Sequence, residues 1–288
     1  MIDASVVICA YTFDRWEELQ AAVASARAQT RRPREVFVVV DGNDELLRRA
    51  RAEIPGADVV PNTNAPGLSG GRVTGAQLAS AEVIAFLDDD AVADERWLEE
   101  LLAAYTDDAV LGAGGHVEPL WRSAPPSWFP AEFNWVVGCT HPGMAPEGGR
   151  IRNPIGANMS VRADVLARTG GFAPELGRLE VGKRVSGTAD ETEFCIRAER
   201  LHPGGWWAYR PDARVQHVVA PQRTTWAYFV RRCRLEGAAK AVLTGLTGTD
   251  AGLASERRYL RSVLPRAVVR ELAAGRVRRA GAIVAGVA

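Results

Sequence analysis

The sequence predicts an open, doubly wound α/β sheet over its first 115 residues. Two apolar runs rich in β-branched residues, 5–10 and 36–40, have the composition of strands buried on both faces of a parallel sheet. Between them, apolar residues from Trp16 to Ala26 recur at helical spacing. Strand and helix patterns then alternate, and in such sheets ligands bind beyond the carboxyl ends of the strands.

The rest of the chain supplies further elements of both kinds. Up to residue 115 the patterns predict, in order, a helix at 45–53, a strand at 58–60, a helix at 69–80, a strand at 83–87, a helix at 97–102 and a strand at 109–114. Residues 119–152 are rich in Pro, Gly and Trp, which is typical of an active-site loop. Beyond this loop we expect helices at 162–168 and 192–201 and a strand at 214–219.

The C-terminal tail is basic although the whole chain has a formal net charge of zero. Residues 222–288 hold 12 Arg and one Lys against three Glu and one Asp, a net charge of +9. After Thr224 the sequence predicts helices with Arg on one side and Leu, Val and Ala on the other. Such helices either pack on the body or lie on a membrane surface, where the charge would meet phosphates or anionic lipid.

The spacing of the cysteines and the hydropathy of the chain indicate the cellular compartment. The four cysteines lie far apart, which favours neither a zinc knuckle nor a disulfide framework. The N-terminus lacks the pattern of a secretion signal, and no uninterrupted apolar run reaches 18 residues. We therefore expect a cytoplasmic protein, either soluble or peripheral on the inner face of the membrane.

Three consecutive carboxylates, Asp88, Asp89 and Asp90, follow the predicted strand at 83–87 directly. Carboxylates at the end of a buried strand repel one another unless a cation joins them. Hard oxygen ligands favour Mg²⁺ or Mn²⁺, and such ions keep phosphate oxygens in their shell. The triplet predicts a metal site for a diphosphate-bearing substrate, the alternative being a helix cap or a solvated loop.

An ordered set of motifs resembles the inverting family 2 glycosyltransferases with the GT-A fold. The set covers roughly residues 5 to 240 and consists of Asp41, the acidic triplet 88–90, Gly-Ala-Asn-Met-Ser at 156–160, Asp-Glu-Thr-Glu-Phe-Cys-Ile-Arg at 190–197 and Pro-Asp-Ala-Arg-Val-Gln-His at 211–217. The resemblance implies a GT-A catalytic domain over 1–221, in which about 1–115 bind the nucleotide-sugar and 116–221 the acceptor. Residues 222–288 would form a basic helical region.

The resemblance also implies the donor site. Asp41 would accept a hydrogen bond from the imide N–H of uracil or a similar base, with Ala10 and Tyr11 as walls of the base pocket. Arg72 would lie near the base and the diphosphate, although Val73 stands where an Asn is common. Without the family, Asp41-Gly42-Asn43-Asp44 is equally typical of a turn.

In the family's pattern Asp88 would hold the ribose hydroxyls, with Asp89 beside it in the donor site. Asp90 would bind the metal, and His217 would be the second protein ligand. A single histidine is more often structural than a ligand, and an imidazole ligand favours Mn²⁺ over Mg²⁺. The cofactor implied is a divalent cation, Mn²⁺ or Mg²⁺.

The catalytic base is implied to come from the pair Asp190 and Glu191, which has the order of the family's Glu-Asp pair exchanged. Alignment by position gives Glu191 the role of base, and Asp190 is the alternative. A partly desolvated carboxylate suits removal of the acceptor's proton. Thr188 and Glu191 also fit a capping box for the following helix.

On the acceptor side the resemblance implies Asn158. Trp206 and Trp207 are adjacent in the sequence, and they could either form a platform for a sugar or base ring or be core residues. The Gln-x-x-Arg-Trp signature of processive members is incomplete, since Thr225 stands in the Arg position. We therefore expect transfer of a single sugar, with inversion, from a donor that is a UDP-sugar by preference. The acceptor would be a hydroxyl of a lipid-phosphate-linked sugar or of a natural product.

Three other functions compete with this hypothesis. A sugar nucleotidyltransferase would need a Gly-rich basic phosphate loop after the first strand, where this chain has Tyr-Thr-Phe-Asp-Arg. A dinucleotide-dependent oxidoreductase would need a Gly-x-Gly-x-x-Gly motif there. A non-catalytic nucleotide-sugar-binding module remains an alternative because the exchanged acids and Val73 depart from the family. No nucleic-acid partner is expected, and the sequence does not specify an oligomeric state.

Overall fold

A computed structural model describes residues 2–145, 149–173, 179–181, 184–186, 190–248 and 256–287 of the 288-residue chain. In these residues a nine-stranded mixed sheet forms the centre of the molecule. Its strands are β1 (Ala4–Ala10), β2 (Glu35–Val40), β3 (Asp58–Pro61), β4 (Val83–Asp88), β5 (Ala91–Ala93), β6 (Val110–Trp121), β7 (Arg150–Ile151), β8 (Asn158–Arg162) and β11 (Trp206–Val219). Strands β9 (Leu179–Val181) and β10 (Arg184–Ser186) form a separate antiparallel pair.

The strand order across the sheet is β3-β2-β1-β4-β8-β6-β11-β5, with β7 also paired to β11. Strands β1 to β4 are parallel to one another, and β8 runs antiparallel to both of its neighbours. Strand β11 is parallel to β6, so six of the nine strands point the same way. The carboxyl ends of these six strands therefore lie at one edge, which is where the predicted site residues cluster.

Helices cover both faces of the sheet and form the C-terminal part. They are α1 (Trp16–Arg27), α2 (Asp44–Glu53), α3 (Leu68–Leu78), α4 (Trp97–Leu102), α5 (Ala163–Thr169), α6 (Asp190–Leu201), α7 (Trp226–Thr247), α8 (Leu264–Ala273) and α9 (Val277–Ala285). Short 3₁₀ turns lie at 13–15, 103–106, 131–137 and 221–224, and a π-turn at 259–263 leads into α8. The predicted alternation of strands and helices is thus present over the first 115 residues.

Strands β6, β8 and β11 differ from the sequence prediction, and the short strands β5, β7, β9 and β10 were not predicted. Strand β8 lies where no strand was expected, and it separates β4 from β6. Strand β6 continues to Trp121, into the segment expected to be a loop, and β11 begins at Trp206 instead of residue 214. The long β6–β11 pairing accounts for both extensions, because the two strands pair over residues 206–210 and 214–219 of β11, with an irregularity between these stretches.

The hydrophobic core consists of two clusters, one on each face of the sheet. On β1 the side chains of Val6 and Ile8 belong to one cluster and Val7 to the other, as the alternation of a strand requires. Burial of side chains of this size stabilises the fold by about 1.5–3 kcal/mol each. The larger cluster also contains Phe229 and Ile283 from the C-terminal helices, which therefore pack on the body.

The C-terminal helices contact the segment 127–145 through specific polar groups. Arg270 lies 2.7 Å from the buried carboxylate of Glu132, and the hydroxyl of Tyr259 donates to the backbone oxygen of Glu132. Arg279 donates to the backbone oxygen of Ser127 at 2.9 Å. Apolar residues of α7 are spread around the helix, so the predicted separation of Arg from apolar side chains is absent there. Within the ranges described, no helix is long and apolar enough to cross a membrane.

Candidate active site

A cleft of about 760 Å³ lies at the edge where the parallel strands end. Residues that follow β1 and β4, the start of α6, the end of β11 and one face of α7 line it. Among the lining residues are Tyr11, Arg72, Asp88, Asp90, Glu191 and His217. The fold therefore brings six of the predicted site residues to one cavity from positions up to 206 residues apart.

The acidic triplet is held by an arginine that follows the first strand. Nη1 of Arg15 lies 2.7 Å from Oδ1 of Asp89 and 3.1 Å from Oδ2 of Asp90. Asp89 and Asp90 are buried, whereas the side chain of Asp88 is 27% exposed and faces the cleft. Arg15 therefore offsets part of the repulsion within the triplet, and Asp88 and Asp90 remain available to a ligand.

The side chains of Asp88, Asp90 and His217 form a group that could hold a metal ion. One ligand atom of each lies within 4.8 Å of the others. Strand pairing explains this geometry, since His217 of β11 pairs with Ala91 of β5, directly after Asp90. Oδ1 of Asp90 is buried without a hydrogen-bond partner although it lies 3.2 Å from Nε2 of His217. A buried acceptor left in this state, beside an imidazole and a second carboxylate, fits a divalent cation.

The groups of this cluster have strongly shifted acidities. Burial opposes ionisation of Asp90, but the neighbouring His217 and Arg15 lower its pKa to about 2. Burial likewise opposes protonation of His217, but Asp90 raises the pKa of the imidazole to about 10. Burial raises the pKa of Asp89 to about 7 in spite of Arg15. Asp90 is thus anionic over the neutral range, as a metal ligand must be.

Asp41, which directly follows β2, holds the loop that precedes α3. The two carboxylate oxygens of Asp41 accept hydrogen bonds from the Asn62 side chain at 2.7 Å and from the Gly67 backbone at 2.8 Å. Asn43 caps α2 and also donates to the backbone oxygen of Tyr11 at 3.1 Å. The chain bends at Gly42, which has a φ of 62°, just before α2 begins. Asp41 therefore anchors a loop as well as lying beside Tyr11, whose side chain is exposed, and Ala10, which is buried.

Arg72, which is buried, and Glu191, which is partly exposed, form an ion pair at the cleft. Nη1 of Arg72 lies 2.9 Å from Oε1 of Glu191, and Nη2 lies 3.6 Å from Oδ1 of Asp88. The guanidinium also lies over the ring of Phe172 at 5.3 Å. A Cβ on Gly156 would come within 2.2 Å of Arg72 and 2.3 Å of Glu191, so only glycine leaves room for this pair.

The two acids at the start of α6 have different surroundings. Asp190 is buried and accepts a hydrogen bond from the Ser69 hydroxyl at 2.8 Å, whereas Glu191 lines the cleft. Burial and the charge of Glu191 raise the pKa of Asp190. Burial also opposes ionisation of Glu191, but Arg72 lowers the pKa of that carboxyl. Glu191 is thus the ionised acid in contact with the cleft. The capping box falls partly on Thr188, which lies outside the described residues.

Three residues predicted for the acceptor side do not line the cleft. Asn158 is fully buried, and its amide accepts from the Trp97 indole at 2.8 Å and donates to the backbone oxygens of His116 and Ala213. Trp206 and Trp207 begin β11, and the start of this strand lies at the opposite edge of the sheet from the cleft. Trp207 is fully buried and Trp206 is partly buried, and neither they nor Asn158 are among the residues that line this cleft.

The structure brings four further arginines to the cleft. They are Arg15, Arg223, Arg231 and Arg232. Nη2 of Arg223 lies 4.0 Å from Oδ2 of Asp90, and Cys139 has its Sγ 3.9 Å from Nδ1 of His217. In the sequence, the segment 229–237 resembles that of family members that glycosylate polyprenyl-phosphate-linked sugars, which pointed to Arg231 and Arg232, whereas no motif indicated Arg15 or Arg223.

Comparisons with known proteins agree on one family. A family model described as "Glycosyl transferase family 2" matches residues 5–170. The glucosyl-dolichyl phosphate glucuronosyltransferase of Haloferax volcanii is 37% identical over 244 residues, which are 83% of this chain and 76% of that protein.

Two solved structures have a similar fold. GalNAc-T7 with UDP, GalNAc and Mn²⁺ has 18% identity and a TM-score of 0.56, and the match covers 81% of this chain but about half, 48%, of that one. The mannosyltransferase PcManGT of Pyrobaculum calidifontis in complex with GDP-Man and Mn²⁺ has 15% identity and a TM-score of 0.59 over 98% of this chain and 85% of that one. At these identities the likeness concerns the fold.

Proposed function

Because this chain belongs to glycosyltransferase family 2, we propose that it transfers one sugar from a nucleoside-diphosphate sugar to a hydroxyl of its acceptor, with inversion. The observation that carries the proposal is the meeting of a candidate metal site with an ionised carboxylate in one cleft. The candidate metal site consists of Asp88, Asp90 and His217, and the ionised carboxylate is that of Glu191.

The donor would lie across the carboxyl ends of β1, β2 and β4. Tyr11 is exposed there and could stack on a base, and the Asp41 carboxylate lies beside it at the end of β2. Asp88 faces the cleft and could accept hydrogen bonds from the ribose. A UDP-sugar is the preferred donor, since a carboxylate at Asp41 suits the imide N–H of uracil.

A divalent cation would be held by Asp90 and His217, with Asp88 close by. Two carboxylates and an imidazole that gives up its proton on binding are a donor set that Mn²⁺ accepts well, and Mg²⁺ is the alternative. When bound, the cation supplies electrostatic stabilisation of the departing nucleoside diphosphate. Arg223, 4.0 Å from Asp90, would add a second positive charge near the same phosphates.

Glu191 would act as the general base. Of the two acids at the start of α6 it is the one that lines the cleft, and Arg72 keeps it ionised and fixed in direction. The proton of the acceptor hydroxyl would move to Glu191 as the oxygen attacks the anomeric carbon. Asp190, buried behind it and hydrogen-bonded to Ser69, would position Glu191 instead of touching the acceptor.

The acceptor is proposed to be a lipid-phosphate-linked sugar. The relative from Haloferax volcanii is named for a glucosyl-dolichyl phosphate acceptor, and the present chain covers 76% of it. The basic C-terminal helices add support, because their charge suits a membrane that carries such an acceptor. A natural-product hydroxyl is the second candidate acceptor.

The experiment is calorimetry of nucleoside diphosphates with and without Mn²⁺, on the wild-type protein and on Asp90→Ala. We expect UDP to bind tightly only with Mn²⁺ and to lose at least about tenfold in affinity in the variant. Glu53→Ala, an exposed carboxylate on α2, is the matched control and should bind UDP normally. Absence of nucleotide binding under every condition would favour the non-catalytic alternative and overturn the proposal.

A further inference from the structure

The chain at 137–139 packs directly against the imidazole of His217. Gly138 follows the 3₁₀ turn at 131–137 and has a φ of 79°, in the left-handed region. A Cβ on Gly138 would lie 3.3 Å from Cε1 of His217 and 3.8 Å from each ring nitrogen. Glycine therefore serves two needs here, because it permits this backbone conformation and lets the main chain approach the ring closely.

Cys139, the next residue, makes a polar contact with the same ring. Its Sγ lies 3.9 Å from Nδ1 of His217 and 3.7 Å from the backbone oxygen of Val137. A thiol is a weak acceptor and a weak donor of hydrogen bonds. The two contacts therefore form a short chain, in which the N–H of Nδ1 donates to Sγ and the S–H donates to the Val137 oxygen.

This contact is shielded from water. His217 is 4% exposed and Cys139 is 0% exposed. A buried N–H that has no partner is unfavourable, because it has left water without a replacement for its hydrogen bond. The thiol is thus the group that makes a proton on Nδ1 favourable inside the protein.

The other ring nitrogen faces the acid cluster. Nε2 of His217 lies 3.2 Å from Oδ1 of Asp90, an oxygen that is buried without a hydrogen-bond partner among the described residues. When an imidazole binds a metal ion, the hydrogen bond of one ring nitrogen decides which nitrogen is left to bind. A proton held on Nδ1 leaves the lone pair of Nε2 for a cation beside Asp90.

We propose that Cys139 and Gly138 are positioning residues for His217. Cys139 holds the proton on Nδ1, and Gly138 lets the chain fix the orientation of the ring, so that Nε2 is presented to a divalent cation. The inference rests on the proposed function, because it takes His217 as a ligand of the metal site. It deepens that function by naming two residues, outside the ligand set, that determine how well the imidazole binds and hence which cation the site prefers.

Different cations depend on the imidazole to different degrees, and this provides the test. Mg²⁺ favours oxygen ligands, whereas affinity for nitrogen ligands rises from Mn²⁺ to Co²⁺. Misplacement of the His217 ring should therefore weaken binding of Co²⁺ most and of Mg²⁺ least. A general loosening of the site, in contrast, should weaken the binding of all three cations alike.

The first experiment is calorimetric titration of Mn²⁺, Co²⁺ and Mg²⁺ into the UDP-saturated protein, with Cys139→Ala compared to the wild type. We expect affinity for Co²⁺ and Mn²⁺ to fall by about 10-fold or more, as is typical when a partner of a histidine ligand is removed, and affinity for Mg²⁺ to be nearly unchanged. Cys195→Ala is the matched control. Cys195 is also 0% exposed but lies in the hydrophobic cluster on the other face of the sheet, so this variant should bind all three cations like the wild type.

The second experiment compares Gly138→Ala with Gly170→Ala. Gly170 ends α5 with a φ of 75°, so alanine strains the backbone at both positions, but a Cβ on Gly170 would have no atom of the described residues within 4 Å. Both variants should therefore lose thermal stability to a similar extent. Only Gly138→Ala should also lose Mn²⁺ and Co²⁺ affinity, by about 10-fold, because its Cβ displaces the ring.

The outcomes separate this inference from the function on which it rests. Equal losses for the three cations in Cys139→Ala, no loss in that variant, or the same loss in Cys195→Ala would each overturn the role of Cys139. Equal cation affinities of Gly138→Ala and Gly170→Ala would overturn the role of Gly138. If the wild type bound none of the three cations, the metal site of the proposed function would be wrong, and the inference with it.

Discussion

At the residue scale, the exchange of two acids at the start of α6 has a physical meaning. Position 191 carries Glu, whose longer side chain reaches Arg72 and the cleft, and position 190 carries Asp, which stays buried against Ser69. The shared environment separates their acidities, since the pKa of Asp190 is raised by burial and that of Glu191 is lowered by Arg72. Environments that push two carboxyls apart in this way are typical of acid–base sites.

The difference in pKa between Asp190 and Glu191 predicts unequal effects of replacing each acid with its isosteric amide. Glu191→Gln should lower kcat by about 10²- to 10⁴-fold, because the proton acceptor is lost while the shape is kept. Asp190→Asn should lower it less. Steady-state kinetics with a UDP-sugar and octyl glucosyl phosphate measures both, and UDP affinity, which should stay unchanged, serves as the control. A larger loss in Asp190→Asn than in Glu191→Gln would reverse the assignment of the base.

Residues were predictable from the sequence where a motif lay next to a strand. The triplet 88–90 follows an apolar run, so its place at the strand end and its burial could be anticipated. Arg15 could not, because its partner Asp89 is 74 residues away and an isolated arginine carries no signal. Asn158 was predicted for the acceptor side, but only the strand between β4 and β6 shows that its amide is used by Trp97 and two backbone oxygens.

At the element scale, an ion-pair network joins α7 and the start of the last helices to the segment before Gly156. Oε2 of Glu256 lies 2.6 Å from Nη1 of Arg152, and Oε1 lies 2.9 Å from the Lys240 ammonium. Burial opposes ionisation of Glu256, but Arg152 and Lys240 lower its pKa from 4.5 to about 2. The network fixes the loop that leads to the Arg72–Glu191 pair.

The lowered pKa predicts how stability depends on pH. A carboxyl whose pKa is lower in the folded than in the unfolded state stabilises the fold above its unfolded pKa, and this contribution is lost as pH falls towards the folded pKa. Glu256 should therefore contribute about 1–3 kcal/mol to the free energy of unfolding at neutral pH, declining between about pH 4.5 and pH 2.

Urea unfolding of Glu256→Gln across pH tests this contribution. The variant should be less stable than the wild type at neutral pH, and the difference should shrink as the pH approaches 2. Glu53→Gln, which removes an exposed i,i+4 pair with Arg49, should cost about 0.5 kcal/mol or less at any pH. A constant difference between Glu256→Gln and the wild type at all pH values would contradict the role of the charge.

Helices and strands were predicted well where the hydrophobic pattern extends over many residues, and less well where pairing with distant strands determines the structure. Strands β1 and β2 are continuous apolar runs, and the helices between the first four strands are amphipathic, so local sequence specifies them. Strand β8 has five residues beside Pro and Gly, and it becomes a strand because β4 and β6 flank it. The direction of β11, which carries Trp206 and Trp207 away from the cleft, also depends on long-range pairing.

At the scale of the whole molecule, the predicted family and GT-A fold are confirmed by the family match and by the likeness to two glycosyltransferase structures. The division into a catalytic domain over 1–221 and a helical region over 222–288 stays a prediction. Phe229, Leu264 and Ile283 lie in the same hydrophobic cluster as the body, so the last helices stabilise the cleft wall at 131–138. Deleting them would remove core contacts along with any surface they provide.

The C-terminal helices nevertheless leave apolar side chains in solvent. Val269 and Leu272 of α8, and Val277 and Val284 of α9, are between 51% and 67% exposed. In each helix the two residues share one face, being three and seven positions apart, and exposed arginines at 266 and 278 lie near them in sequence. Apolar and basic side chains together are what an amphipathic helix presents to an anionic membrane.

Point substitutions on this surface test membrane contact better than deletion, because they leave the buried face of the helices intact. Val269→Asp/Leu272→Asp should lower partitioning into vesicles that contain phosphatidylglycerol at least about tenfold, since two apolar side chains no longer leave water. Leu78→Asp replaces an exposed leucine of α3, away from these helices, and should partition like the wild type. Both should bind UDP normally. In cosedimentation assays, rising salt should weaken the binding of the wild-type protein to these vesicles, because the arginines contribute electrostatic attraction. If the double variant and the wild type sediment alike, the peripheral membrane contact is wrong and the packing of the helices on the body is their whole role.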